Sequence, residues 1–138
     1  MPSLTTTGAT VSSGNAYRMA GYRADEMDIA GIYDCFTGTA IMMLEDLGFC
    51  PKGEGGPFVA DGQITYGGKI PVNTHGGLLS FGHSGMPGVL FHFYEVIRQL
   101  RRETGPRQVA DVNVGVVHAL GAGFATNATT VFGTADTL

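Results

Sequence analysis

Two stretches of this chain repeat their apolar residues at helical spacing, and three others are apolar over the length of a strand. From Phe36 to Leu47, Ile41, Leu44 and Leu47 recur every third position with Ala40 and Met43 beside them, which predicts a helix. Gly48 and then Pro51 end it. From Pro87 to Glu103, Leu90, Phe93, Tyr94, Ile97 and Leu100 form one stripe, with Glu95, Arg98 and Arg102 largely opposite. That pattern predicts an amphipathic helix, stopped at Gly105-Pro106. Asp28–Tyr33, Val112–Val117 and Ala128–Phe132 read as strands, the last two joined by a loop over Gly121–Gly123. Ser13–Gly21 predicts a short helix, with Ser12 or Ser13 as N-cap and Gly21 as stop, after an irregular segment to about residue 12. The glycine- and proline-rich stretch from Pro51 to Pro71 reads as a loop with room for one helical turn. The order predicts one α/β domain over residues 1–138, three-layered, with a mixed β-sheet and helices on both faces.

Composition sharpens this picture. Hydrophobic residues make up 43% of the 138 positions and charged residues only 14%, with 22 glycines. So little charge leads us to expect that much of the surface is covered by another chain or domain. A net charge of −4 argues against nucleic acid as the main partner, because phosphate binding needs a basic footprint. The one basic cluster, Arg98, Arg101, Arg102 and Arg107, reads as a solvated helix end, with a site for a substrate phosphate as the alternative. No stretch has the apolar length of a membrane span, and neither a span nor a leader segment is expected. With two cysteines, a cytoplasmic protein without a disulfide framework is expected. No Cys-x-x-Cys or His-x-x-x-His pair is present, so no metal site is expected.

The segment from Asn73 to His83 (NTHGGLLSFGH) concentrates the candidate chemistry. It combines Asn73, His75 and His83 with glycines 76, 77 and 82. Imidazole moves protons near neutral pH, and glycine lets backbone approach a ligand closely. A neutral His83 could take a proton from a thiol or a water. Cys35 falls at a strand-to-helix turn, where a helix N-terminus favours thiolate, yet cysteine is also a common core residue. Tyr33 carries a phenol that donates a proton readily and is a poor base unless ionised. Gly76, Gly77, Gly121 and Gly123 could turn backbone N–H groups toward a substrate oxygen, or could serve only as turns. His92 and His118 are expected to be structural.

Asn73-x-x-Gly76-Gly77 followed by Gly82-His83 resembles the Asn-x-x-Gly-Gly and Gly-His-Pro segments of thiolase C-terminal halves. Tyr33-Asp34-Cys35-Phe36 resembles the His-Asp-Cys-Phe motif of the sterol-carrier-protein (lipid-transfer) thiolases. The runs 44–50 (LEDLGFC), 53–56 (GEGG), 99–101 (QLR) and 107–109 (RQV) are similar to theirs at similar spacing. The resemblance implies a thiolase C-terminal domain that packs its helix layer on the helix layer of an N-terminal half. It implies a coenzyme A thioester as substrate, with no covalently bound cofactor. It also implies Tyr33, Cys35 and His83 as catalytic groups and Asn73 as a loop-shaping amide near the site. Asn73, His75, Gly76, Gly77, Gly121 and Gly123 are the candidate substrate-binding positions, although His75 falls at a variable position of the motif, where a solvent-facing histidine is the default.

The sequence departs from the family in two places. Gly82-His83-Ser84-Gly85 replaces Gly-His-Pro-x-Gly, and no C-terminal Cys-x-Gly motif occurs, the matching loop reading His118-Ala-Leu-Gly121-Ala-Gly123. Tyr33 in place of His resembles the aldolases of bacterial steroid side-chain degradation, which work with a DUF35-type OB-fold and zinc-ribbon protein. Retro-aldol cleavage of a β-hydroxyacyl-CoA is therefore the favoured expectation. Thiolysis, with a nucleophilic Cys from a separate N-terminal half, and a non-catalytic subunit role stand as alternatives. An oligomer with a thiolase-like N-terminal partner is expected in each enzymatic case.

Overall fold

The computed structural model describes residues 3–137. Its elements are α1 (Ala9–Ala20), β1 (Ile29–Ile32), α2 (Thr37–Asp46), α3 (Gly55–Ala60), α4 (Gly77–Phe81), α5 (Val89–Leu100), β2 (Val114–Gly121) and β3 (Thr126–Gly133). The strands form one mixed sheet in the order β1-β2-β3, with β1 parallel to β2 and β3 antiparallel to it. Alternation along the strands separates two cores. Ala30, Ile32, Val114 and Val116 pack with Tyr17, Met43, Leu44 and Leu47 from α1, α2 and the residue that ends α2. Ile29 and Val117 pack with Val96 of α5 on the opposite face. The α/β class and the three layers match the sequence pattern.

Two glycines in the strands bring α5 onto the sheet. A Cβ at Gly31 would lie 2.9 Å from His92 Cβ, and one at Gly115 would lie 2.7 Å from Val96 Cγ1. Hydrogen at these positions lets the helix rest directly on β1 and β2.

Three elements differ from expectation. Helix α1 begins at Ala9, so the segment expected to be irregular to residue 12 is helical for its last four positions; residues 1 and 2 lie outside the described residues. The Ser12 and Ser13 hydroxyls do not cap. They bond back to the carbonyls of Ala9 and Thr10 inside the helix. The stop at Gly21 is as expected, with φ 76° and its N–H donated to Tyr17 O. Helix α4 has no counterpart in the periodicity, because five residues are too few to show any.

The third difference concerns α5, whose apolar stripe is only partly its buried face: Phe93 and Leu100 pack on the core, and Leu90 and Tyr94 do not. His92, Glu95, Val96 and Gln99 face the sheet, whereas Leu90 and Tyr94 are each 61% exposed. Glu95 is accommodated because Thr74 Oγ1 and Arg107 Nη2 donate to its carboxylate at 2.8 and 3.1 Å. Burial alone would raise this carboxyl, but the donors Arg107, Thr74 and Gln99 outweigh it and hold the pKa below its usual value. The open apolar stripe fits the low charge of the chain, leaving a helix face to be covered. Among the described residues, no helix is long and apolar enough to cross a membrane.

Candidate active site

Strand β1 is short, and its outer edge is finished by a side chain. Val72 bridges Ala30, and the Asn73 carboxamide then pairs with Ile32 as a neighbouring strand would. Ile32 N–H donates to Asn73 Oδ1 at 2.8 Å, and Asn73 Nδ2 donates to Ile32 O at 2.9 Å. Asn73 itself sits at φ 50°, a left-handed conformation that asparagine tolerates. Both hydrogen-bonding ends of its amide are thereby used, which fits a residue that shapes the site rather than one that holds a ligand. Replacing Asn73 with Ala should cost about 2 kcal/mol, since it leaves both Ile32 backbone groups without partners. Chemical denaturation checks this, and a loss below about 0.5 kcal/mol would contradict the strand-mimic role.

The clamped strand delivers Tyr33 to the wall of a cleft of about 760 Å³. Tyr33, Cys35, His83, Gly121 and Gly123 all line it, so residues far apart in sequence meet there. Tyr33 Oη lies 2.9 Å from His83 Nε2 and 3.1 Å from Gly85 O. The phenol has one proton for two neighbours. It either donates to Gly85 O while His83 Nε2–H donates to the phenol, or it donates directly to His83. The tautomer of His83 selects between the two, and with Nε2 unprotonated the phenol is placed to hand it a proton. Burial, and secondarily the Cys35 charge, raise the Tyr33 pKa above its ordinary value, so the group is a neutral phenol near neutrality.

Cys35 Sγ donates to Thr39 Oγ1 at 3.8 Å and is half-buried in the same wall. The far wall is the tip of the β2–β3 hairpin, where Ala122, Gly123 and Phe124 all have positive φ. Gly121 has a specific steric need: a Cβ there would stand 2.7 Å from Thr126 Oγ1. Phe36, Val89, Leu120 and Phe124 make the cleft largely apolar. Phe124 and Asn127 also line it and carry no motif that would single them out from sequence.

His75, Gly76 and Gly77 do not line this cleft. They lie behind it. His75 stacks edge-on against His92 with ring centroids 5.1 Å apart, and burial lowers its pKa. Gly77 passes against the Asp34 carboxylate, which accepts the Leu78 N–H at 2.8 Å. The substrate-facing candidates thus divide into those in the cleft and those that support it from behind. Asp34 and His92 belong to the second set, and sequence reasoning assigned neither a role at the site. The one available signal was the position of Asp34 between Tyr33 and Cys35.

The family model described as "Thiolase C-terminal domain-like" matches residues 1–134. An acetyl-CoA acetyltransferase of Methanothermobacter thermautotrophicus is 40% identical over 131 residues, covering 94% of this chain and 34% of that protein. A 17-hydroxy-3-oxo-4-pregnene-20-carboxyl-CoA lyase of Mycobacterium tuberculosis is 42% identical over 105 residues, covering 75% of this chain and 25% of the lyase. A solved Ltp2-ChsH2(DUF35) aldolase superposes with a TM-score of 0.84 at 32% identity, covering 97% of this chain and 34% of that one. The chain therefore spans about a third or less of the length of these relatives.

Proposed function

Since the chain belongs to the thiolase C-terminal domain-like family, we propose that it supplies one half of an enzyme acting on acyl-CoA thioesters, with retro-aldol cleavage of a β-hydroxyacyl-CoA as its reaction. The observation that carries this reading is the 2.9 Å contact between Tyr33 Oη and His83 Nε2 at the wall of an apolar cleft. Retro-aldol cleavage removes the β-hydroxyl proton, breaks the Cα–Cβ bond and leaves the electron pair as a thioester enolate. Tyr33 Oη accepts the hydroxyl proton as its own proton passes to His83 Nε2. That relay answers the weakness of a high-pKa phenol as a base, because no free phenolate has to accumulate. The enolate is then protonated at Cα, and Cys35 faces the cleft as a group able to give that proton. Backbone N–H groups of the Gly121–Gly123 turn are suited to the thioester oxygen.

The lyase and aldolase relatives support the reaction, and the CoA-linked names of the lyase and the acetyltransferase support a CoA thioester as substrate. The exposed stripe of α5 suits a thiolase-like N-terminal half. The two-component name of the aldolase neighbour supports a DUF35-type protein as a further partner. A second reading, thiolysis of a β-ketoacyl-CoA, draws support from the acetyltransferase relative and from Cys35 in the cleft. There His83 would activate a cysteine supplied by the other half.

The two readings separate in one assay. The assembly isolated from its host is given a β-hydroxyacyl-CoA without free CoA, or a β-ketoacyl-CoA with it. Tyr33→Phe keeps the ring and removes the relay oxygen, so cleavage should slow by on the order of a hundredfold. Unchanged cleavage in Tyr33→Phe, or turnover only with the ketoacyl thioester and free CoA, would sink the retro-aldol proposal.

A further inference from the structure

Behind the cleft lies a buried polar cluster that the proposed reaction does not use. Asp34 follows Tyr33 directly, is 6% exposed, and receives the Leu78 N–H at 2.8 Å. The carbonyl of that same Leu78 accepts the Gly82 N–H at 3.1 Å, and Gly82 precedes His83. One carboxylate therefore joins the residue after Tyr33 to the short helix whose end carries His83. Gly77, with no side chain, allows this approach.

His92 completes the arrangement from α5. It is fully buried, its Nε2 lies 3.5 Å from Asp34 Oδ1, and its ring meets that of Tyr33 edge-on at 6.4 Å and 69°. Neither ring nitrogen has a hydrogen-bond partner among the described residues. A buried imidazole with both nitrogens open is costly, and an apolar side chain in its place would serve packing better. Burial, and then neighbouring His75, push its pKa down to about 3, so the ring is neutral and can offer an N–H toward Asp34 without adding a charge.

We infer that Asp34 and His92 are positioning residues for the Tyr33–His83 pair: Asp34 ties together the two segments that carry the pair, and His92 packs beside the Asp34 carboxylate and edge-on against the Tyr33 ring. Neither touches the reacting atoms. The inference rests on the reading of Tyr33 and His83 as the proton-transfer pair, and its test has a readout that does not depend on any substrate.

That readout is the imidazole Cε1–H resonance of His83, followed with labelled histidine in the full chain in the assembly it forms in its host. The chain has 4 histidines, so the signals can be assigned by substitution. His92→Phe keeps an aromatic ring and loses the polar edge. Asp34→Ala removes the carboxylate, while Asp34→Asn keeps an acceptor for Leu78 N–H. His92→Phe and Asp34→Ala should each shift or split the His83 resonance. With the substrate that the assembly cleaves, kcat should fall about tenfold at unchanged KM, a size expected for misaligned reacting groups. Asp34→Asn should restore most of both. A His83 resonance that stays in place in His92→Phe and in Asp34→Ala, with only stability lowered, would overturn the inference. If Asp34→Ala does not fold, His92→Phe carries the test, with Asp34→Asn as the control that should leave the resonance near its parent position. Should Tyr33→Phe leave turnover intact, the reaction reading falls, and the resonance still decides whether the pair is held by Asp34 and His92.

Discussion

Gly77→Ala should lower stability by about 4 kcal/mol, because strained backbone and a steric clash act at one position. Gly77 adopts φ +70°, where an L side chain is strained whatever space surrounds it. Space is also lacking: the added Cβ would lie 2.0 Å from Asp34 Oδ2 and 2.8 Å from Asp34 Cγ. A flexible surface carboxylate could swing away, but this one is buried, with its Oδ1 held by Leu78 N–H and approached by His92 Nε2. The chain must therefore give up the αL turn or expel the carboxylate, and either choice releases α4. Gly38→Ala is the internal control. Gly38 lies in α2 with open space around its Cα, so alanine there should stabilise by about 0.5 kcal/mol or slightly more. Urea denaturation of both variants checks the contrast, and similar midpoints would contradict this account of Gly77.

The same residue shows what could be read from the sequence and what could not. The glycine pair at 76 and 77 marks a place where backbone is bent, and it sits beside candidate proton-transfer groups. The sequence has no sign that the group meeting the bend is Asp34, more than forty positions earlier, rather than a substrate. The strands and the two long helices were legible because local periodicity determines them. Tyr33, Cys35, His83, Gly121 and Gly123 were legible as chemistry, and the fold does gather them around one cleft.

The burial of α5 was harder to read. Glu95 reads as solvent-facing by its polarity, and Gln99 carries no sign of burial. They are buried because Thr74, Arg107 and the backbone of Val109 supply partners that no window along the helix contains. Leu90 and Tyr94 read as core by their apolarity and are instead exposed, while Phe93 of the same stripe packs on the core. A hydrophobic stripe says that a face will be covered. It does not say that this chain covers it.

Buried histidines make the second large prediction, a loss of stability in mild acid. His92 is pushed down to about 3 by burial and then by His75, and His118 to about 4 by burial, which outweighs the raising effects of Asn127 and Asp46. In the unfolded chain both imidazoles titrate near 6.5. Between that value and the folded values, the unfolded state binds more protons than the folded one, so stability rises with pH through the window. The neutral rings contribute no penalty above about pH 7. Stability falls as pH drops below 6.5, by about 2 kcal/mol per histidine at pH 5 and about 4 kcal/mol for the two. His75, also lowered by burial, acts in the same direction. Glu95 adds to the loss only in stronger acid, since its unfolded value lies near 4.5.

His92→Phe removes one of the two large contributions without removing the ring. Its stability should therefore change between pH 7 and pH 5 by about 2 kcal/mol less than that of the parent chain. Paired denaturation curves at the two pH values give the answer directly. An equal pH dependence in parent and variant would mean that His92 is not held neutral by burial. The polar cluster behind Tyr33 would then need a different electrostatic description.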